Sequence, residues 1–506
     1  MHESLLLASW GTQARGSRVA VEDGSGADAR ATYAAIDARA RRIASVLLDG
    51  AAKRRTLGGE RVALLVAPGR DFVAAFVGVL LAGGCVVVLS PLHPLPETTY
   101  FCDDAQVRTI IASPDLAGRL GAAGRRVLLP EAFDRADAID PPAAAASDAA
   151  LQLYTSGTTG KPKGAVITHQ NLATQQELLR DAWGFSADDV LLHALPLHHM
   201  HGLAIALLTA LGAGACTRML PAFDAARVWD EMATSTVFMG VPTMYSRLLA
   251  AYDAADDATR ARWTAGARGL RLATSGSAAL PVTLAERWRA IAGDVPVERF
   301  GMTEIGVGAT NPLAGPRKPG HVGRPLRTVE TRIVADGRDA EEGELWVRGP
   351  SVFAGYFGKE EATRDAFVAD ANGAWFKTGD TVTRDGDGYL RILGRTSVDI
   401  LKSGGYKLSA LEIEEVLREN GAVAEVAVVG VPDEAWDERV VACVVPRAGQ
   451  EAACAEAALR AFARERLAPY KVPKEVVTMA DLPRNAVGKV IKPELVRALV
   501  SRSRAT

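Results

Sequence analysis

The segment 155-TSGTTGKPKG-164 sets three glycines, four hydroxyl side chains and two lysines within ten residues. Small residues let backbone N–H groups approach an anion, hydroxyls donate to it and lysines neutralise it, which is the chemistry of a phosphate loop. A Walker A loop is excluded, because Thr155 and Pro162 stand where that motif requires Gly and Ser or Thr. A second constellation, 198-HHMH-201, brings three imidazoles into four residues, a spacing able to ligate zinc. No carboxylate falls between Asp189 and Asp224, and the one cysteine there, Cys216, stands 15 residues beyond His201, so a metal role is not expected there.

These residues must be held by a scaffold. Strand-like apolar runs at 61-RVALLVA-67, 86-VVVLS-90, 108-RTIIAS-113 and 125-RRVLLP-130 alternate with helical patterns, which predicts α/β layers with largely parallel sheets. The stretch 72-FVAAFVGVLLAGGCVVVLSPL-92 is long enough to span a bilayer, but Gly83-Gly84 interrupts it and a β-branched run follows. A helix, a glycine stop and a buried strand are expected. From about residue 326 short β runs with turn signals follow, and beyond Arg395 a new α+β unit is expected, with helices over 410–420 and 455–467 and strands over 425–431 and 439–446. The expected division is a large domain over 1–395 and a small one over 396–506.

The bulk numbers narrow the partners. A chain of 506 residues exceeds one ordinary core. A net charge of −2 supplies no electrostatic reason for nucleic acid or an acidic membrane surface. Five scattered cysteines with no CxxC predict neither a disulfide framework nor a cysteine zinc site, so a cytoplasmic protein is expected.

As a whole string, TSGTTGKPKGAVITH resembles the phosphate-loop signature of the adenylate-forming superfamily of acyl-CoA synthetases, luciferases and peptide-synthetase adenylation domains. Further family-like strings follow in the family's order: 196-PLHHMHG-202, 275-SGSAALP-281, 298-ERFGMTE-304, 377-KTGD-380, 394-GR-395, 402-KSGGYKLSALEIE-414 and 484-RNAVGKVIK-492. The resemblance spans nearly the whole chain. The combination of 241-VPTMYSRL-248, SGSAALP and 396-TSVDILKSGGYKLSALEIE-414 is most similar to malonyl-CoA synthetases. The implied fold is a large N-terminal domain of layered α/β sheets plus a distorted β-barrel, followed by a small mobile α+β domain.

The resemblance implies a two-step reaction. A carboxylate attacks the α-phosphorus of ATP to give an acyl-adenylate and pyrophosphate; the small domain then swings, and the thiol of coenzyme A displaces AMP. Thr155, Ser156, Gly157, Thr158, Thr159, Gly160 and Lys163 would hold the departing phosphates. Glu304 would carry Mg2+ with the Thr155 hydroxyl as co-ligand, and Thr303 would contact the α-phosphate. Ser277, Glu298, Arg299, Phe300, Gly301 and Met302 would line the nucleotide, with Phe300 where most members carry Tyr. Asp380 would bind the ribose hydroxyls with Arg395 beside it, and Lys489 would reach in from the small domain for adenylation. His199 and Ser275 would wall the acyl pocket. Gly404, Gly405, Tyr406 and Lys407 would line the coenzyme A path. One departure stands out: GRTSVD has a residue more than most members between GR and the glycine pair, so the hinge is expected at Ser397–Asp399.

For a diacid substrate the second carboxylate needs a buried cation. Arg247 matches the diacid-binding arginine of malonyl-CoA synthetases, and Arg271 is a weaker candidate. Two competing functions remain at this stage: a CoA ligase for fatty or aromatic monoacids, and an amino-acid adenylation enzyme. The latter needs an Asp near the histidine cluster, and residues 190–223 contain no acidic side chain. No attached carrier domain is expected after Lys489.

Overall fold

The computed structural model describes residues 10, 16–24, 29–49, 54–120, 124–140, 144–155, 161–403, 406–433, 436–484 and 489–503. The candidate phosphate-loop residues Ser156, Gly157, Thr158, Thr159 and Gly160, and the candidate coenzyme A residues Gly404 and Gly405, lie outside the described residues.

The former membrane-like stretch divides at its glycines. Helix Arg70–Leu81 is apolar on nearly all sides, Gly83 takes a left-handed φ of 73°, and strand Cys85–Val88 is fully buried. A side chain at residue 83 would collide with Thr56 Oγ1, so glycine is required by both backbone and space. Among the described residues no helix is long and apolar enough to cross a membrane.

Strand Cys85–Val88 joins a seven-stranded sheet in which strands 61–65, 85–88, 109–112, 126–128 and 149–155 run parallel. Strand Lys163–Thr168 folds back antiparallel on Ala149–Thr155, with Thr155 opposite Lys163. Thr168 then starts helix His169–Trp183 with a capping box: its hydroxyl accepts the Asn171 N–H at 3.1 Å and Asn171 Oδ1 accepts the Thr168 N–H at 2.9 Å.

A nine-stranded sheet carries the other half of the large domain, parallel through strands 216–219, 190–193, 237–240, 272–275 and 297–302. Its last parallel strand, Val297–Met302, turns at Thr303–Ile305 into the antiparallel strand Gly306–Thr310. An all-antiparallel sheet built from strands 330–335, 342–348, 367–370, 373–384 and 390–395 supplies the barrel-like part. Sheet membership changes after Arg395. Strands 400–403, 406–409, 423–433, 437–446 and 475–478 form their own sheet with separate apolar cores.

Candidate active site

The turn carrying Glu304 is fixed from behind. Gln175 Oε1, on helix His169–Trp183, accepts the Val307 N–H at 2.8 Å, and Gly306 takes a φ of 66° where any Cβ would overlap Gln175. The Glu304 side chain is 5% exposed, and one of its oxygens accepts the Tyr356 hydroxyl at 2.9 Å. Tyr356 itself sits opposite Ala165 on the strand that leaves the phosphate loop, and Lys163 Nζ lies 4.6 Å from its ring centre. The loop base and the carboxylate therefore meet through a tyrosine that the sequence reading did not single out.

Burial pushes the Glu304 carboxyl upward, opposed by the Tyr356 hydrogen bond and by the charges of Arg395 and Lys163. A buried carboxylate with one hydroxyl donor and nearby cations suits a hard divalent ion bound through oxygen. The residues present thus fit Mg2+, with Glu304 as the anionic ligand. Thr155 ends its strand with its hydroxyl turned to the Lys163 carbonyl at 3.4 Å.

Asp380 and Arg395 face one another on paired antiparallel strands, with Arg395 Nε 3.3 Å from Asp380 Oδ1 and Nη1 donating to the Thr378 carbonyl at 2.7 Å. Burial raises the Asp380 carboxyl to about 6, against the pull of Arg395 and Lys489. Lys489, from the small domain, keeps solvent contact yet stands among Asp380, Asp399 and Arg395. Its pKa is lowered by desolvation and by Arg395, and the two aspartates oppose that shift. Beside it Lys492 is buried between Asp399 (2.5 Å) and Glu414 (2.7 Å).

The histidines form a series of ring contacts. His93 meets His198 at 5.4 Å, and His198 meets His199 at 4.1 Å between ring centres. His201 Nδ1 lies 3.3 Å from the Ser277 hydroxyl, and Ser277 adopts a left-handed φ of 70° that a non-glycine residue takes only under constraint. Desolvation lowers all of them, His198 to about 2 and His199 to about 4, so at neutral pH they are uncharged. Glu298 is also buried; it accepts the Gly320 N–H at 2.9 Å and is raised by burial to about 8. Phe300 packs in the main apolar core, while Gly301, Met302 and Thr303 keep partial exposure.

Arg299 is the unexpected member. Its side chain lies against Gly276, where a Cβ would stand 2.4 Å from Nε. It is 4% exposed, and among the described residues its Nε and Nη2 have no hydrogen-bond partner. Desolvation alone lowers it to about 9, still cationic at neutral pH. Ser275, whose buried hydroxyl also lacks a partner among the described residues, flanks the same turn. No spacing signal distinguishes Arg299 from its neighbours in ERFGMTE; only the burial does.

Arg247 lies solvent-accessible on helix Pro242–Ala254 with its guanidinium 4.8 Å from the Phe223 ring centre, and no carboxylate among the described residues pairs with it. Tyr245 on that helix donates to the Thr274 carbonyl at 2.9 Å, which brings the helix to the strand end before Ser275. The alternative candidate Arg271 is corrected by the structure. It pairs through Nε and Nη2 with the buried Asp189 at 2.6 and 2.5 Å, so its cation is already neutralised. Tyr406 is exposed and stacks on Tyr470 at 4.3 Å, with Lys407 exposed beside it.

Comparison with known proteins agrees with this geometry. Residues 8–357 match the family described as AMP-binding enzyme, and residues 412–489 match the AMP-binding enzyme C-terminal domain. The mitochondrial malonate–CoA ligase of Bos taurus is 40% identical over 96% of this chain and 89% of its own. The ATP-bound crystal structure of MatB from Rhodopseudomonas palustris superposes with a TM-score of 0.88 at 35% identity, covering 98% of this chain and 99% of that one. A malonyl-CoA ligase ternary product complex with methylmalonyl-CoA and AMP is 38% identical but superposes at 0.68, covering 95% and 99%. With both family domains matched in order, and with Lys163, Glu304, Asp380 and Arg395 brought near one another, this chain belongs to the AMP-binding enzymes.

Proposed function

We propose that the protein is an ATP-dependent acid–CoA ligase that converts malonate, or its methyl-substituted analogue, into the CoA thioester with release of AMP and pyrophosphate. The observation that carries the diacid reading is Arg299. A buried guanidinium beside the neutral His201 imidazole, with Nε and Nη2 lacking a hydrogen-bond partner among the described residues, has room for the anion that its burial calls for. A malonate carboxylate would supply it, whereas a monocarboxylate would leave the charge uncompensated. Arg247, also without a carboxylate partner among the described residues, supports the same reading from the neighbouring helix. The malonate–CoA ligases that the chain resembles support it independently.

In the first step an oxygen of the activated carboxylate bonds to the α-phosphorus as the bond to the pyrophosphate oxygen breaks. Anion attacks anion, so the contribution of the site is charge and position. Lys163 at the loop base and Lys489 from the small domain bring cations to the phosphates, and Asp380 with Arg395 orients the ribose. When bound at Glu304, with Thr155 beside it, Mg2+ would neutralise the phosphate oxygens. In the second step the coenzyme A sulfur bonds to the acyl carbon and AMP leaves. Tyr406 and Lys407 are the described residues assigned to that approach. A cytoplasmic setting fits five cysteines that are all free.

The test is pyrophosphate release over a panel of mono- and dicarboxylic acids, with and without coenzyme A. Malonate and methylmalonate are expected to lead the panel. A preference for propionate, benzoate or an amino acid would overturn the diacid assignment.

A further inference from the structure

Helix Val282–Ala292 begins at the end of the SGSAALP turn with no cap of its own. Pro281 occupies the N-cap position, no side chain of the helix caps it, and its first turn has no acidic residue. The free N–H of Val282 is taken by Glu415 Oε1 at 2.7 Å. Glu415 lies 133 residues away, on helix Ala410–Arg418 beyond the Arg395–Ile400 connection. A carboxylate at a helix N-terminus meets both an unsatisfied donor and the positive end of the helix dipole.

The same carboxylate starts a polar chain that returns to the nucleotide residues. Its other oxygen lies 3.5 Å from Arg418, Arg418 pairs with Glu414 at 3.0 Å, and Glu414 with Lys492 at 2.7 Å. Lys492 holds Asp399 at 2.5 Å, Asp399 accepts the Arg395 N–H at 3.0 Å, and Arg395 faces Asp380. The Asp399 end of this chain sits at the covalent connection, where the small domain is attached in any pose. A body attached at one point can still rotate about it. Glu415 supplies a further point, on the helix whose first residue, Ala410, donates its N–H to the Asp399 carbonyl at 2.8 Å.

We propose that Glu415 is a positioning residue for the adenylation step: by capping helix Val282–Ala292 across the domain boundary it fixes the pose in which Lys489 stands beside Asp380. The cap sits at the end of the turn that carries Ser275 and Ser277, so the pose of the small domain is tied to the wall of the acyl pocket. This rests on the proposed two-step reading, in which the small domain must leave this pose for thioester formation.

The experiment uses the full chain with spin labels on cysteines placed at two exposed positions, Arg289 on the capped helix and Arg497 on the small domain. With ATP bound, the unmodified Glu415 background is expected to give one narrow distance, and Glu415→Ala a broadened or shifted one. Glu415→Ala should lower pyrophosphate release roughly tenfold, the scale of a lost hydrogen bond to a charged group. Conversion of supplied acyl-adenylate and coenzyme A to thioester should be undiminished. Glu415→Gln keeps an acceptor oxygen and should lose less. An unchanged label distance, or equal loss in both half-reactions, would overturn the proposal. The label distance needs ATP but no acid, so a wild type that ignores malonate would sink the diacid reading while Glu415 is still judged by the labels.

Discussion

Arg395 and Asp380 stand directly opposite on adjacent antiparallel strands, 3.3 Å apart, and the buried carboxyl is raised to about 6 despite that cation. Desolvation therefore outweighs the ion pair. As pH falls through about 6 the carboxylate gains a proton and loses acceptor capacity for ribose hydroxyls, so ATP affinity should weaken over that range. The stability sign is opposite. With a folded pKa above the unfolded 3.8, the ionised group costs stability above about pH 6, and the cost fades as pH falls toward 4. Calorimetric ATP titrations from about pH 5 to about pH 8 should show the inflection, and Asp380→Asn should remove it along with much of the affinity.

Glu304 and Tyr356 should separate by magnitude. Glu304→Gln keeps the shape and removes the charge for a divalent ion, so pyrophosphate release should fall by ~100-fold or more. Because burial raises this carboxyl, the Gln protein should melt no lower than wild type at neutral pH. Tyr356→Phe removes one hydrogen bond, worth about 1 kcal/mol, and should cost only several-fold with a raised Mg2+ requirement. Equal losses in the two variants would mean that Tyr356 has a role beyond orienting Glu304.

The two arginines test the diacid directly. Arg299→Met should lower activity on malonate by ~100-fold or more, the scale of a buried charge left without its partner, while acetate and propionate change little or improve. Arg247→Leu should act in the same direction. Rates with malonate and propionate side by side decide the matter: parallel changes with both acids would show that neither arginine reads the second carboxylate.

Lys489 and Lys492, three residues apart, should behave differently. Lys489→Ala should abolish pyrophosphate release yet spare thioester formation from supplied acyl-adenylate, with little effect on melting. Lys492→Met leaves Asp399 and Glu414 buried without their shared cation, a loss on the order of 3–5 kcal/mol, and should lower the melting temperature of the small domain. A stable Lys492→Met protein would show that those carboxyls are neutral in the fold.

Much of this was legible from the chain alone because local chemistry fixes it. Turn glycines and strand periodicity act within a few residues, so the Arg70–Leu81 helix and the Cys85–Val88 strand follow from their own sequences. The ordered strings identified the family for the same reason. Direction and partnership of side chains did not follow, because they depend on which elements become neighbours. Tyr356 reaches Glu304 across 52 residues only because its strand pairs with the one leaving the loop. Arg271 is neutralised by Asp189, 82 residues away, and so is removed from the acyl pocket. Arg299, one residue after Glu298, is buried because its side chain packs against Gly276, where its Nε and Nη2 find no hydrogen-bond partner among the described residues.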